Sequence, residues 1–133
     1  MKNPEMEEIK MNNSENEDIK KSIEFFNRGN LEKLLANYDI AISYFTKSIE
    51  LNPNFAEAFY KRGNVKFILE DFEGALYDYN EAINLNPKLA EAYHNRGLIK
   101  FNKGDKENGR IDFVTAARLG CFKFYDVKKG YCN

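Results

Sequence analysis

The chain has 133 residues, 43% of them hydrophobic and 31% charged, and a formal net charge of −1. That balance builds no field to gather nucleic acid or an anionic membrane, so neither is expected as a partner. No apolar run approaches the roughly 20 residues of a membrane span, and a catalytic relay would have to be built around the single histidine, His94.

The stretch MKNPEMEEIKMNNSENEDIK opens the chain without an apolar core of the kind an export signal needs. Its Asn, Glu and Lys content, with no apolar period, predicts a disordered or partly helical acidic arm over residues 1–21. Asp18, Lys20 and Lys21 are placed to extend the next helix backwards.

From residue 22 the chain repeats itself. The segments FFNRGN, FYKRGN and YHNRGL set Gly29, Gly63 and Gly97 at a period of 34 residues. Arg28, Arg62 and Arg96 share the period, as do Phe25, Phe59 and Tyr93; further on come Phe45, Tyr79 and Phe113, then Leu51, Leu85 and Leu119. The units span 22–55, 56–89 and 90–120. Within the second unit, Phe59 to Phe67 and Phe72 to Ile83 carry apolar residues mostly at three-to-four-residue spacing, which predicts two helices. Asn37, Asp71 and Asp105 are suited to N-cap the second helix of each unit, and Asp39, Glu73 and Glu107 follow in its first turn. Pro53 and Pro87, each in an LNP triplet, end that helix. A glycine within a helix costs about 1 kcal/mol against alanine. Three at one period therefore point to a close approach, here to Ala41, Ala75 and Gly109 across each hairpin. Arg62 and Arg96 are read as structural partners of Asp78 and Asp112, with Tyr44 at that position in the first unit.

The last segment, CFKFYDVKK at 121–129, predicts a short capping helix. In it Phe122, Tyr125 and Phe124 would cover the last repeat while Lys123, Lys128 and Lys129 face water. The sparse pair Cys121 and Cys132 reads as reduced thiols, and with no export signal a cytoplasmic location is expected.

These columns resemble the tetratricopeptide repeat from residue 22 to about 120: the glycines, Ala41 and Ala75, the aromatic column, Ser48, Ala82 and Ala116, and the two prolines. The resemblance implies an all-α fold, a right-handed superhelix of three helix-turn-helix repeats plus the C-terminal capping helix, whose first helices line a concave face. It departs from the family at Gly109 and at Gly120-Cys121, where alanine and proline are usual.

The function expected is an adaptor that binds a peptide or protein partner in that groove, with no enzymatic activity, cofactor or metal. By column match the groove carries Phe26, Tyr60 and His94, flanked by Asn27, Lys61 and Asn95, then Asn30, Asn64 and Leu98, then Lys33, Phe67 and Phe101, of which Phe67 and Phe101 read rather as core packing. Tyr60 and Asn64 are expected on an exposed surface. Aromatic rings give large contact area at small entropy cost, and an asparagine offers both a donor and an acceptor to an extended peptide backbone. Family members that grip the C-terminal carboxylates of heat-shock chaperones use lysines, asparagines and an arginine. Phe26, Asn30, Lys61, Glu91 and Asn95 stand at those positions, so that ligand is not expected. A monomer is favoured; the alternative is a scaffold assembling through its ends or convex face. Charge is uneven: residues 1–87 hold 10 basic and 16 acidic side chains, residues 88–133 hold 10 and 5, so the acidic arm is also a candidate to dock on the basic end.

Overall fold

The computed structural model describes residues 3–121. Apart from Cys121, the expected capping helix at 121–129 lies outside them. Among the described residues the structure is all helical, in six elements: α1 (Pro4–Leu34), α2 (Tyr38–Leu51), α3 (Ala56–Ile68), α4 (Phe72–Leu85), α5 (Ala90–Asn102) and α6 (Lys106–Arg118). They pair as three hairpins, α1 on α2, α3 on α4 and α5 on α6. The hairpins join through α2–α3 and α4–α5, so each unit leans mainly on its neighbours.

Close approach occurs at all three glycines, but Gly29 and Gly63 meet aromatic rings before Ala41 or Ala75, and only Gly97 has its expected partner, Gly109, among its nearest neighbours. A Cβ at Gly29 would stand 2.7 Å from the Phe45 ring, one at Gly63 2.9 Å from the Tyr79 ring, and one at Gly97 2.9 Å from the Phe113 ring. In the third hairpin the backbones themselves meet, a Cβ on Gly109 falling 2.9 Å from the Gly97 carbonyl oxygen. Phe45 and Tyr79 are fully buried at the centres of two cores: Ala41 and Val65 join the first, while Ala75, Ile83, Ala92 and Ile99 join the second.

Each hairpin turns at one left-handed residue: Ala36 at φ 60°, Glu70 at φ 62° and Gly104 at φ 98°. Only the last is a residue that adopts this conformation without cost. Asp71 and Asp105 cap α4 and α6 by accepting from Gly74 and Asn108 N–H. Asn37 makes no such cap to α2; its side-chain amide donates to Glu32 at 2.8 Å.

The charged column also resolves. Buried Asp78 accepts from Arg62 Nε at 2.9 Å and Nη2 at 2.7 Å, and lies 3.1 Å from the Lys66 ammonium. Arg96, Lys100 and Asp112 repeat the arrangement one hairpin on. Each arginine also reaches back to the preceding repeat, Arg62 to Thr46 and Arg96 to Asn80. The unit thereby ties its own two helices to its neighbour. In the first hairpin Arg28 lies over the Tyr44 ring instead.

Two expectations from the sequence are revised. Residues from Pro4 onward, assigned to a disordered or partly helical arm, are the first half of α1. The Asn3 side chain accepts from Glu5 N–H, Pro4 takes the first turn, and Glu5 and Glu7 face the positive helix end. No glycine interrupts the helix before Gly29, so a flexible arm folding back on the basic end does not describe these residues. Cys121, read as a reduced thiol, is disulfide-bonded; sparse cysteine usage is only an indirect guide to pairing.

Candidate functional site

The first helices of the hairpins, α1, α3 and α5, lie side by side and line a cavity of about 880 Å³. One wall carries Lys33 from α1. The floor is α3, with Glu57, Tyr60, Lys61, Asn64 and Phe67; Glu91 and Asn95 of α5 form the far wall, and Phe72, Tyr79 and Leu89 close the base. Helical spacing accounts for this, because residues 57, 60 or 61, 64 and 67 or 68 of α3 fall on one face.

A hydrogen-bonded cluster sits at the bottom. Asn64 Oδ1 accepts from the Tyr79 hydroxyl at 2.7 Å and from Asn95 Nδ2 at 3.0 Å, which joins two repeats through one oxygen. Asn95 is only 5% exposed, yet its Oδ1 has no hydrogen-bond partner. An unpaired buried acceptor costs about 1–3 kcal/mol, so a donor able to reach it from the cavity would be favoured. Burial pushes the Tyr79 hydroxyl far above its ordinary range, with the nearby Tyr60 ring adding to the shift; burial also raises Tyr60. Both phenols therefore act as neutral donors.

Lys33 and Lys61 approach from adjacent helices. Burial lowers the Lys33 pKa, and repulsion from Lys61 lowers it further. The Lys61 ammonium lies 5.8 Å from the centre of the Tyr60 ring.

Of the residues assigned to the groove by column, Tyr60, Lys61, Asn64 and Asn95 line this one cavity, and Phe26, Asn27, Asn30 and His94 do not. Phe26 is taken up between repeats, its ring 4.8 Å from Phe55 and 5.9 Å from Phe45. His94 is buried against Phe113, ring centres 5.5 Å apart, and burial lowers its pKa. Asn27 is exposed and Asn30 half-buried, outside the cavity. Of the outer rows, Lys33 and Phe67, the latter read rather as core, belong to the lining, and Leu98 and Phe101 do not. Glu91, met by sequence only as the wrong charge for a chaperone carboxylate, also lines the cavity, as do Glu57 and Leu89, which were not assigned. A step of three residues back along α3 from Tyr60, or four from Lys61, leads to Glu57, but Leu89 sits in the loop before α5, where no helical column reaches.

A stack of helical hairpins whose first helices form a groove with aromatic, amide and lysine side chains defines a helical-repeat protein of the binding type. Models of that type match three stretches: residues 20–55 and 90–119, each described as tetratricopeptide repeat, and 63–104, described as TPR repeat. The chain belongs to the tetratricopeptide repeat family. No curated protein matches the sequence. Among solved structures, the first TPR of Spaghetti (RPAP3) bound to the HSP90 peptide SRMEEVD is 27% identical, with a TM-score of 0.76 over 80% of this chain and 84% of that one. The Arabidopsis OM64 TPR domain is 23% identical, with a TM-score of 0.75 over 77% of this chain and 85% of that one. MamA is 24% identical, with a TM-score of 0.72 over 74% of this chain, and the chain spans 58% of its length. At these identities OM64 and MamA bear on the fold alone. The fold is the right-handed tetratricopeptide superhelix, and its general role is protein–protein interaction.

Proposed function

We propose that the chain is an adaptor holding an extended peptide in the groove of α1, α3 and α5, with Tyr60, Lys61, Asn64 and Asn95 as its contact residues. The observation that carries this reading is the cavity shared by the three first helices, lined with ring, amide and ammonium side chains that suit a peptide. Tyr60 and Phe67 offer ring surface in the same cavity, which suits the side chains of an extended segment. The RPAP3 domain, of like fold, is described with a peptide bound. A chaperone C-terminus is a poor ligand for this groove, because Glu91 stands where a cation would be needed.

The test is an array of random dodecapeptides with both termini blocked, probed with the parent protein and with Tyr60→Ala and Lys61→Ala variants. Binding by the parent, lost in the groove variants and kept in Tyr77→Ala on an exposed face of α4, is expected. Equal binding by all four proteins moves the site elsewhere.

A second reading, assembly through the ends of the array, has one observation behind it. Leu31 is 54% exposed, whereas its counterparts Val65 and Ile99 are buried against a preceding repeat, and Leu34 and Leu35 beside it are exposed too. Light scattering over a concentration series tests it: a constant monomer mass sets this reading aside.

A further inference from the structure

The proposed groove has a charge arrangement of its own. Among the described residues, the other cations of α3 and α5 are matched by carboxylates. Arg62 and Lys66 share Asp78, Arg96 and Lys100 share Asp112, and Lys103 pairs with Glu73. Lys33 and Lys61 have no such partner, although they line one cavity from neighbouring helices and repel each other. Two like charges in a partly desolvated site leave a strong local preference for an anion. The carboxylates that face the same cavity, Glu57, Glu70 and Glu91, lie within 4 Å of neither ammonium. Their repulsion leaves little room for a second anion. Asn95 Oδ1, buried and unpaired in the same cavity, is a separate sign that a donor is to be received there.

Building on the peptide-binding reading of this groove, we infer that it selects a segment with a single internal Asp or Glu, its carboxylate seated between Lys33 and Lys61 while a neighbouring main-chain N–H donates to Asn95 Oδ1. The recognised anion is a side chain within a segment, not a chain terminus. A run of acids is disfavoured, because only one position escapes the three glutamates.

The blocked dodecapeptide array reads this directly. Bound sequences are expected to be enriched for one acidic residue and depleted of acidic runs. For the best binder, exchanging that Glu for Gln is expected to weaken binding to the parent protein roughly tenfold. Lys33→Gln should bring Glu and Gln peptides to near parity, whereas Lys47→Gln, at an exposed position on α2, which gives the cavity no lining residue, should leave the preference intact. A urea melt of each variant verifies that the fold is kept. Parity of Glu and Gln peptides on the parent, a preference that survives Lys33→Gln with Lys61→Gln, or binding restored only by a free C-terminus overturns the inference while leaving the groove standing. Failure to bind any peptide overturns the groove reading and the inference with it.

Discussion

Replacing Asp78 by alanine tests how the repeats are held to one another. Its carboxylate takes two N–H groups of Arg62 and the Lys66 ammonium, and the side chain is fully buried. Without it, Arg62, whose side chain is 12% exposed, and Lys66, 19% exposed, face each other with no counter-charge. Removing one partner of a buried pair costs about 3–5 kcal/mol. Arg62 keeps its bond to Thr46 and Lys66 can turn outwards, so a loss near the lower end, about 3 kcal/mol, is expected. A domain of this size loses about 3–5 °C per kcal/mol, so the Tm should fall by roughly 10–15 °C. The double variant Arg62→Met, Asp78→Leu should recover most of the loss, because replacing a whole buried pair by apolar groups is often close to neutral. Urea unfolding followed by helical circular dichroism of the parent, Arg62→Met, Asp78→Leu and the double variant closes a cycle and gives the coupling directly. A loss below about 1 kcal/mol for Asp78→Ala, or strict additivity of the two single changes, refutes the reasoning.

Gly63→Leu should be severe, because even a Cβ there stands 2.9 Å from the buried Tyr79 ring and 3.2 Å from Asp78 Cβ; overpacking of about 1–3 kcal/mol or more is expected as a lowered urea midpoint. Glu70→Gly should raise stability by about 0.5–1 kcal/mol, since Glu70 holds φ 62° where the third hairpin uses Gly104; a lowered Tm contradicts this. Asn64→Ala should lower stability by about 1–3 kcal/mol, because it leaves the buried Tyr79 hydroxyl without its acceptor; an unchanged melt would contradict that bond. Burial depresses the His94 pKa, so the folded state prefers the neutral imidazole. His94 therefore lowers stability as pH falls through its unfolded value of about 6.5 and on towards the folded one. His94→Phe should flatten that part of the urea midpoint against pH, and an identical pH slope in both proteins contradicts it.

The sequence made the packing skeleton legible because its constraints are costly ones. A helical glycine is retained only where backbones or rings meet, and Gly29, Gly63 and Gly97 do sit against Phe45, Tyr79 and Phe113. The shared period of arginine and aspartate likewise foretold the Arg62–Asp78 and Arg96–Asp112 pairs. The groove was legible only in part, because one column meets different surroundings in each repeat. Phe26, Tyr60 and His94 are equivalent by spacing, yet Phe55 covers the first, the cavity keeps the second and Phe113 backs the third. Asn64, an exposed position by its helical column, has its oxygen turned inwards as the acceptor for Tyr79 and Asn95. Helix α1 begins earlier than composition implies, because a cap at Asn3 and a proline at the first turn act locally and leave no mark on an apolar period.

The most direct test of the central claim is to map backbone amide chemical shifts while titrating the protein with its best array peptide. The account expects the largest changes along the inner faces of α3 and α5, at Tyr60, Lys61, Asn64 and Asn95, with Lys33 at the edge. Changes centred on Leu31 and Leu34 at the end of the array, or on Tyr77 and Ile111 of α4 and α6, would contradict it.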